Sequence, residues 1–545
     1  MEAEQATKAA IKEATPPGAR IAAVDVGSNS VRLVVAEVLP SGGYRVLDEE
    51  RENTRLSANL SKTGRLDPTA ADATIGVLRH FLTIANGYGA SQIRAIGTSA
   101  LRDADDAPEF CARVRKEFKI SIEVITAAEE ARLAFLSVAR AFDISGREVA
   151  VADIGGGSTE IVLASSGLVD QVYGTKLGTV RVAEQCGVTG RATEKQVAAL
   201  RVFVDRTLRK QVGKPPFVPD MLFGTGGTFT ALASIIMAGQ GQAGQPMWGF
   251  RVTRAQIRHI VSDLAAMSLE KRCKVPGLNP NRADIIVAGL AIIERVMRHL
   301  RVNVVQVHTR GVRDGLLLTM IQSAAGGPPR SVSADERRAS VEEFAKSCGA
   351  DLSHAHQVAR IAGSLWQQLA GPLSLKPEDR EVIESAALLA NVGYLINFEG
   401  HHKHSYHLIL NSELAGFEQS QLQLLASVAR YHRGAPPKKK HDEFASLSAN
   451  DQRRVAALAA ILRLALALDR THQQHVEEVR TRVAEDRVRI TVKARGDAEV
   501  DLWAAQRKVE LFEKVFNRKV EFAARNSNKP RKRRRSRPTD SSQRG

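Results

Sequence analysis

From Ile21 to Ser323 the chain alternates two patterns. Short apolar runs that end in glycine turns are followed by stretches whose apolar positions recur every three or four residues, as strands and helices alternate in an α/β domain. Ile21 to Val38 reads as a hairpin around Gly27-Ser28-Asn29-Ser30, and Val151 to Leu163 repeats its plan around Gly155-Gly156-Gly157-Ser158. Ile93 to Gly97 is a short strand running into Thr98-Ser99-Ala100-Leu101-Arg102, and Ile122 to Ile125 is another. Thr126-Ala127-Ala128-Glu129 has capping-box spacing and opens a helix continued by Leu133, Leu136 and Arg140. The apolar Met221-Leu222-Phe223 enters a third glycine turn, Gly224-Thr225-Gly226-Gly227-Thr228, followed by an apolar helix from Phe229 to Met237.

The pattern changes after a linker, Ala324-Ala325-Gly326-Gly327-Pro328-Pro329. Leu352 to Leu369, Arg380 to Ile396, Gln419 to Tyr431 and Gln452 to Leu468 each carry helical spacing. Val479 to Val483 and Val488 to Val492 then alternate apolar and charged residues around Glu485-Asp486, which predicts a hairpin. Val500 to Phe516 reads as one helix and Lys519 to Phe522 as a last strand. Residues 1–20 and 524–545 carry no such pattern and are expected to be disordered.

At 545 residues the chain is expected to hold three or four domains. Aromatics make up only 5%, so packing must rest on Ala, Val, Leu and Ile. No apolar run approaches the roughly 20 residues of a membrane span, and the acidic N-terminus does not read as a secretory signal. Cys111, Cys186, Cys273 and Cys348 are isolated, which argues against a zinc site or a disulfide framework and for a reducing, cytoplasmic setting. The net charge of +17 favours polyanionic partners. About half of the excess lies in the tail around Lys529-Pro530-Arg531-Lys532-Arg533-Arg534-Arg535. A nucleic-acid contact by that tail is compatible with its charge and has no other support.

The three glycine turns supply the candidate chemistry. Gly155, Gly156 and Gly157 let the backbone approach a bound group closely, and consecutive N–H groups in such turns form a concavity for an oxyanion. Gly226 and Gly227 precede a helix N-terminus, another anion site. Asp25 and Asp153 end the first strands of the two hairpins, and Glu160 follows the second turn. Carboxylates of this kind suit Mg²⁺. Arg32 on a hairpin strand and Arg102 after a strand end are candidates to clamp phosphate. Glu129 is used by the capping box, whereas Glu130 is a spare carboxylate and a candidate general base. The bland alternatives are tight hairpins with exposed acids and solvated arginines.

Asp25-Val26-Gly27-Ser28-Asn29-Ser30, Gly97-Thr98-Ser99-Ala100-Leu101-Arg102, Glu129-Glu130-Ala131-Arg132, Asp153 to Glu160 and Gly224 to Thr228 follow one another in an order that resembles the exopolyphosphatase / guanosine pentaphosphate phosphohydrolase family. Arg282-Ala283-Asp284 and Gly311-Val312-Arg313-Asp314-Gly315 are similar to further landmarks of that family. The resemblance implies an α/β fold of duplicated actin-like (ribonuclease H-like) domains, placed at 21–142 and 143–323. An all-α His-Asp-like domain at 334–472 and a small α+β domain at 476–523 would follow. It implies that Glu130 activates the attacking water, that Asp153 and Glu160 serve a divalent cation such as Mg²⁺, and that Asn29, Arg102 and the Gly155–Ser158 turn hold phosphates; by their place at the same turns and strand ends, Asp25 is added to the cation set and Arg32, Thr98, Gly226 and Gly227 to the phosphate set. Inorganic polyphosphate is the implied substrate, guanosine pentaphosphate the alternative, and a homodimer the implied state.

In the helical domain the His-Asp pair that binds metal in related hydrolases would fall near Ala390-Asn391 and is absent, so the domain is expected to be a degenerate, non-catalytic copy. His401-His402-Lys403-His404 and Lys438-Lys439-Lys440 are read instead as a polyanion-facing surface, or as a charged exposed loop. Two other classes stay open: an ATP-using actin-fold kinase or chaperone, and a non-catalytic polyanion-binding protein.

Overall fold

The structure is a computed structural model that describes residues 16–40, 43–322, 332–412, 414–417 and 419–526. Most of the expected N-terminal disordered segment, the glycine-proline linker and the basic tail lie outside the described residues. The chain forms two compact units. One comprises Met1–Ser340 with Glu413–Gln419, the other Val341–Ser412 with Ser420–Gly545.

The first unit is a duplication. Strands β1 (Arg20–Val26), β2 (Val31–Val38), β3 (Tyr44–Glu52), β4 (Gln92–Gly97) and β5 (Ile122–Val124) form a sheet in the order β3-β2-β1-β4-β5. The first three are antiparallel neighbours, while β4 and β5 join in parallel. Strands β6 (Glu148–Ile154), β7 (Thr159–Ser165), β8 (Leu168–Thr175), β9 (Met221–Thr225), β10 (Arg251–Thr253) and β11 (Val304–Val307) repeat that order as β8-β7-β6-β9-β11, with β10 as an extra antiparallel edge. This is the duplicated actin-like α/β architecture. The innermost strands bury both faces: Ile21, Ala22, Ala23 and Val24 are fully buried, as are Val149, Ala150 and Ala152. Continuous apolar runs of this kind are what a sheet covered on both sides requires.

Two helices cross between the lobes. The helix Ala127–Ala141 follows the first sheet but lays Phe135 and Val138 against Val149, Val151 and Val162 of the second. The helix Val312–Gln322 follows the second sheet but packs Leu316, Leu317 and Met320 against Ile21, Ala23 and Val34 of the first. The two helices touch: a Cβ on Gly315 would collide with the Leu133 carbonyl. This exchange brings the first turn of Ala127–Ala141, and Glu130 with it, to the junction of the lobes.

The second unit contains the helices Leu352–Leu369, Asp379–Leu389, His401–Leu410, Gln419–Arg430 and Ala449–Ala467. A three-stranded sheet, β12 (Val476–Val483), β13 (Arg487–Ala494) and β14 (Lys519–Asn526), completes it. Three expectations need correction here. The stretch read as one helix from Arg380 to Ile396 ends at Leu389 and continues as a 3₁₀ turn over Val392–Leu395, because Gly393 meets the backbone of His401 and Ser405 at a distance no side chain allows. The stretch Val500 to Phe516 is two helices, Glu499–Gln506 and Val509–Phe516. His401 is not on an exposed loop: it is 1% exposed, at the start of a helix, with its Nε2 facing the Nε2 of His432 at 3.3 Å.

Candidate active site

The two hairpin turns close identically. Gly27 N–H donates to the Ser30 carbonyl at 3.2 Å, and Gly155 N–H to the Ser158 carbonyl at 3.0 Å. The turns press against one another. A Cβ on Gly156 would lie 3.1 Å from Ser28 Cβ, and one on Gly157 would lie 2.5 Å from Ser99 Oγ. Gly226 takes φ +91°, and a Cβ there would sit 2.6 Å from Asp153 Oδ1. At these positions the absence of a side chain is a spacing requirement.

Pairing register then sets out the charged groups. Asp25 on β1 lies opposite Arg32 on β2, which lies opposite Arg51 on β3. In the second copy Asp153 on β6 lies opposite Glu160 on β7, with Thr225 of β9 on its other side. Both copies therefore put Asp at the same ladder position, but its neighbour is a cation in one lobe and a carboxyl in the other.

A cavity of about 200 Å³ opens between these rows. Of the residues singled out in the sequence, Asp25, Asn29, Arg32, Thr98, Glu130, Asp153, Gly155, Gly156, Gly157, Ser158, Gly226 and Gly227 line it. Arg102 and Glu160 are placed behind it. Arg102 Nη1 donates to Glu130 Oε2 at 2.7 Å and to the Ile125 carbonyl at 2.9 Å, so its guanidinium is anchored on Glu130. Glu160 is 1% exposed, with Arg102 Nη2 3.6 Å away.

Burial dominates the electrostatics. It pushes Glu130 up to about 7 in spite of Arg102. Burial, reinforced by the nearby Glu130 charge, lifts Glu160 well above the usual carboxylate range. Asp25 and Asp153 are raised by burial as well. Burial and then the neighbouring guanidiniums bring Arg282 down to about 9 and Arg51 to about 10. Arg32, Arg51, Arg282, Arg310 and Arg313 all face the cavity. Such a concentration of cations is the environment an anion of several charges would relieve.

Four of the polar atoms bordering the cavity are buried without a hydrogen-bond partner: Asp25 Oδ1, Ser28 Oγ, Arg51 Nε and Arg282 Nε. Buried polar atoms normally find partners, so these mark where a polar guest or its water belongs. Among the described residues no group of three or more His, Cys, Asp or Glu forms an all-protein metal cage. Asp25 and Asp153 fit the sparser arrangement of Mg²⁺, which takes one or two carboxylates and completes its shell with phosphate oxygens and water.

Sequence reasoning missed the contribution of Arg51, Arg282, Arg310 and Arg313 to this lining. Tyr44 to Glu52 forms β3 without an alternating pattern to announce it: Val46-Leu47 is followed by five charged residues. Arg282 and Arg313 stood only as landmarks, because nothing local shows that residues so far apart converge.

Residues 34–324 match the model of the Ppx/GppA phosphatase family, and residues 337–510 match the model of that family's domain III. Exopolyphosphatase 1 of Mycobacterium tuberculosis is 30% identical over 317 residues, spanning 56% of this chain and 90% of that protein. The Mycobacterium leprae protein of the same name is 29% identical over 314 residues, spanning 56% and 91%. A crystal structure of the Aquifex aeolicus Ppx/GppA family member superposes with a TM-score of 0.50 at 30% identity, covering 57% of this chain and 99% of that one. An exopolyphosphatase from Cytophaga hutchinsonii gives a TM-score of 0.53 at 24% identity over 57% and 100% of the two chains, a likeness of fold.

Proposed function

Since this chain belongs to the Ppx/GppA phosphatase family and is a phosphoanhydride hydrolase, we propose that it is an exopolyphosphatase, removing orthophosphate from the ends of inorganic polyphosphate. The observation that carries the reading is the lining of the cavity. Five arginines, three glycine turns and Glu130 meet there, and no aromatic side chain is among the described lining residues. A bare phosphate chain finds cations and N–H groups along such a wall. A nucleobase finds no aromatic ring to stack on, which puts guanosine pentaphosphate second in this reading.

In this reading Glu130 accepts the proton of the attacking water, and Arg102 fixes the carboxylate that does so. Arg32, Arg51 and Arg282 hold the phosphates, while the Gly155–Ser158 turn and the Gly226–Gly227 turn supply N–H groups to the charge that develops. Asp25 and Asp153 would hold the divalent cation, Mg²⁺ in this reading, which when bound neutralises charge on the phosphoryl oxygens. Glu160 lies behind Glu130, where burial and the Glu130 charge raise its carboxyl. The reading includes a homodimer, to be checked by sedimentation, and a cytoplasmic setting. Among the described residues no helix is long and apolar enough to cross a membrane.

The test is phosphate release from long polyphosphate and from guanosine pentaphosphate, wild type beside Glu130→Gln. Polyphosphate should be the better substrate. The substitution should lower turnover of both by roughly 10²–10⁴ while polyphosphate still binds. A strong preference for the nucleotide reverses the substrate order, and unchanged turnover removes Glu130 from its role.

A further inference from the structure

The second unit contains a cavity of about 330 Å³ that hydrolysis does not use, within the size range of small-molecule sites. Its floor carries His354, His401 and His432. His354 Nδ1 pairs with Asp469 at 2.8 Å, while His401 and His432 each direct Nδ1 at a backbone carbonyl, of Phe398 at 3.0 Å and of Ala429 at 2.6 Å. Burial holds His432 neutral, down to about 3. Asn391 stands beside them, and among the described residues no cluster here is suited to a metal ion.

The charge comes from the walls and rim. Arg433, Arg463, Arg470, Arg507 and Lys508 line the cavity, and no carboxylate does. The acids nearby are engaged elsewhere: Asp469 with His354, and Asp351 with His472. Among the described residues Arg433, Arg470, Arg507 and Lys508 make no ion pair. Partial burial and the four surrounding guanidiniums pull the Lys508 ammonium down. Like charges gathered this closely, without counter-charge, are costly unless an anion joins them.

The rim is also aromatic. Trp503 is 61% exposed with the Arg507 guanidinium 5.1 Å over its ring, and Tyr394 is 42% exposed. Tyr394 stacks on Phe398 at 5.4 Å, and Arg433 lies 5.7 Å over the Phe398 ring. Exposed aromatics are out of place in a chain that has so few, unless a ligand covers them. Flat rings beside guanidiniums recognise a base joined to phosphates.

We propose that this cavity is a second ligand site, taking a nucleoside polyphosphate whose base stacks on Trp503 and whose phosphates lie among Arg433, Arg470, Arg507 and Lys508. The proposal is independent of which substrate the first unit hydrolyses. It separates the two anion sites of the chain by one feature: the reaction cavity has arginines without aromatic rings, and this one has both.

The test uses the full chain, with ATP and GTP as probes and tripolyphosphate as the base-free comparison, read by calorimetry. Trp503→Ala and the double substitution Arg470→Ala/Arg507→Ala change exposed side chains and should leave the fold and basal polyphosphate turnover unchanged. Trp503→Ala should weaken nucleotide binding about tenfold, as loss of one stacked base does, and leave tripolyphosphate binding as it was. The double substitution should weaken nucleotide binding at least as much. The proposal is overturned if neither nucleotide binds to the wild type, or if the double substitution leaves binding intact. It is equally overturned if Trp503→Ala affects nucleotide and tripolyphosphate alike, or neither.

Discussion

Glu130 is caught between two opposing influences, a dry environment that favours the proton and the Arg102 guanidinium that favours the charge. Dryness prevails, and the group titrates near 7 instead of 4.5. A base must be ionised to work, so kcat/KM for polyphosphate should climb with pH through about 7 and level off above it. Glu130→Gln should flatten that limb, and a pH–rate profile of both proteins checks it. The sign for folding is opposite. The native state holds this proton more tightly than the unfolded chain, so the contribution of Glu130 to stability is present at low pH and fades as pH rises from 4.5 to about 7. Asp153→Asn should raise the Mg²⁺ concentration needed for half-maximal rate, and an unaltered metal titration would count against its role. Glu130 was legible in the sequence because the capping box already accounted for Glu129, leaving its neighbour without a structural use. For Arg102, spacing shows that it ends near the cleft, but not that it donates to Glu130. Arg51 and Arg282 were invisible because their meeting depends on strand register and on chain folding over long separations.

At the scale of elements, the hairpins and the capping box could be read because each is dictated locally, by an apolar run, a glycine turn or a Thr–Glu spacing. Breaks imposed from outside could not. Gly393 interrupts a helical pattern only because another helix backbone lies against it. The split between Gln506 and Val509 has neither Pro nor Gly to announce it. The phosphate turn has the same dependence on its surroundings. Gly178 backs directly onto Gly157, so a Cβ at 178 would force the Gly155–Ser158 turn to move. Gly178→Ala should therefore cost about 1–3 kcal/mol of stability and most of the activity, although the residue does not line the cavity. Thermal melting and phosphate release, measured together, check this; a normal rate with a normal melting point would show that the turn tolerates displacement.

At the scale of the first unit, the crossed helices decide what can move. Ala127–Ala141 and Val312–Gln322 are each rooted in one sheet and packed on the other, and they meet at Gly315. Gly315→Ala should push them apart and shift Glu130 relative to the arginine row, lowering kcat more than it raises KM; steady-state kinetics on polyphosphate will show the split. The same crossing has a consequence for the ancestry and dissection of the fold. Neither repeat owns the helix that seals its own sheet, so a solitary repeat would present a naked apolar face to water. It could hide that face only by trading helices with a twin, which makes the present chain the covalent equivalent of an interlocked pair.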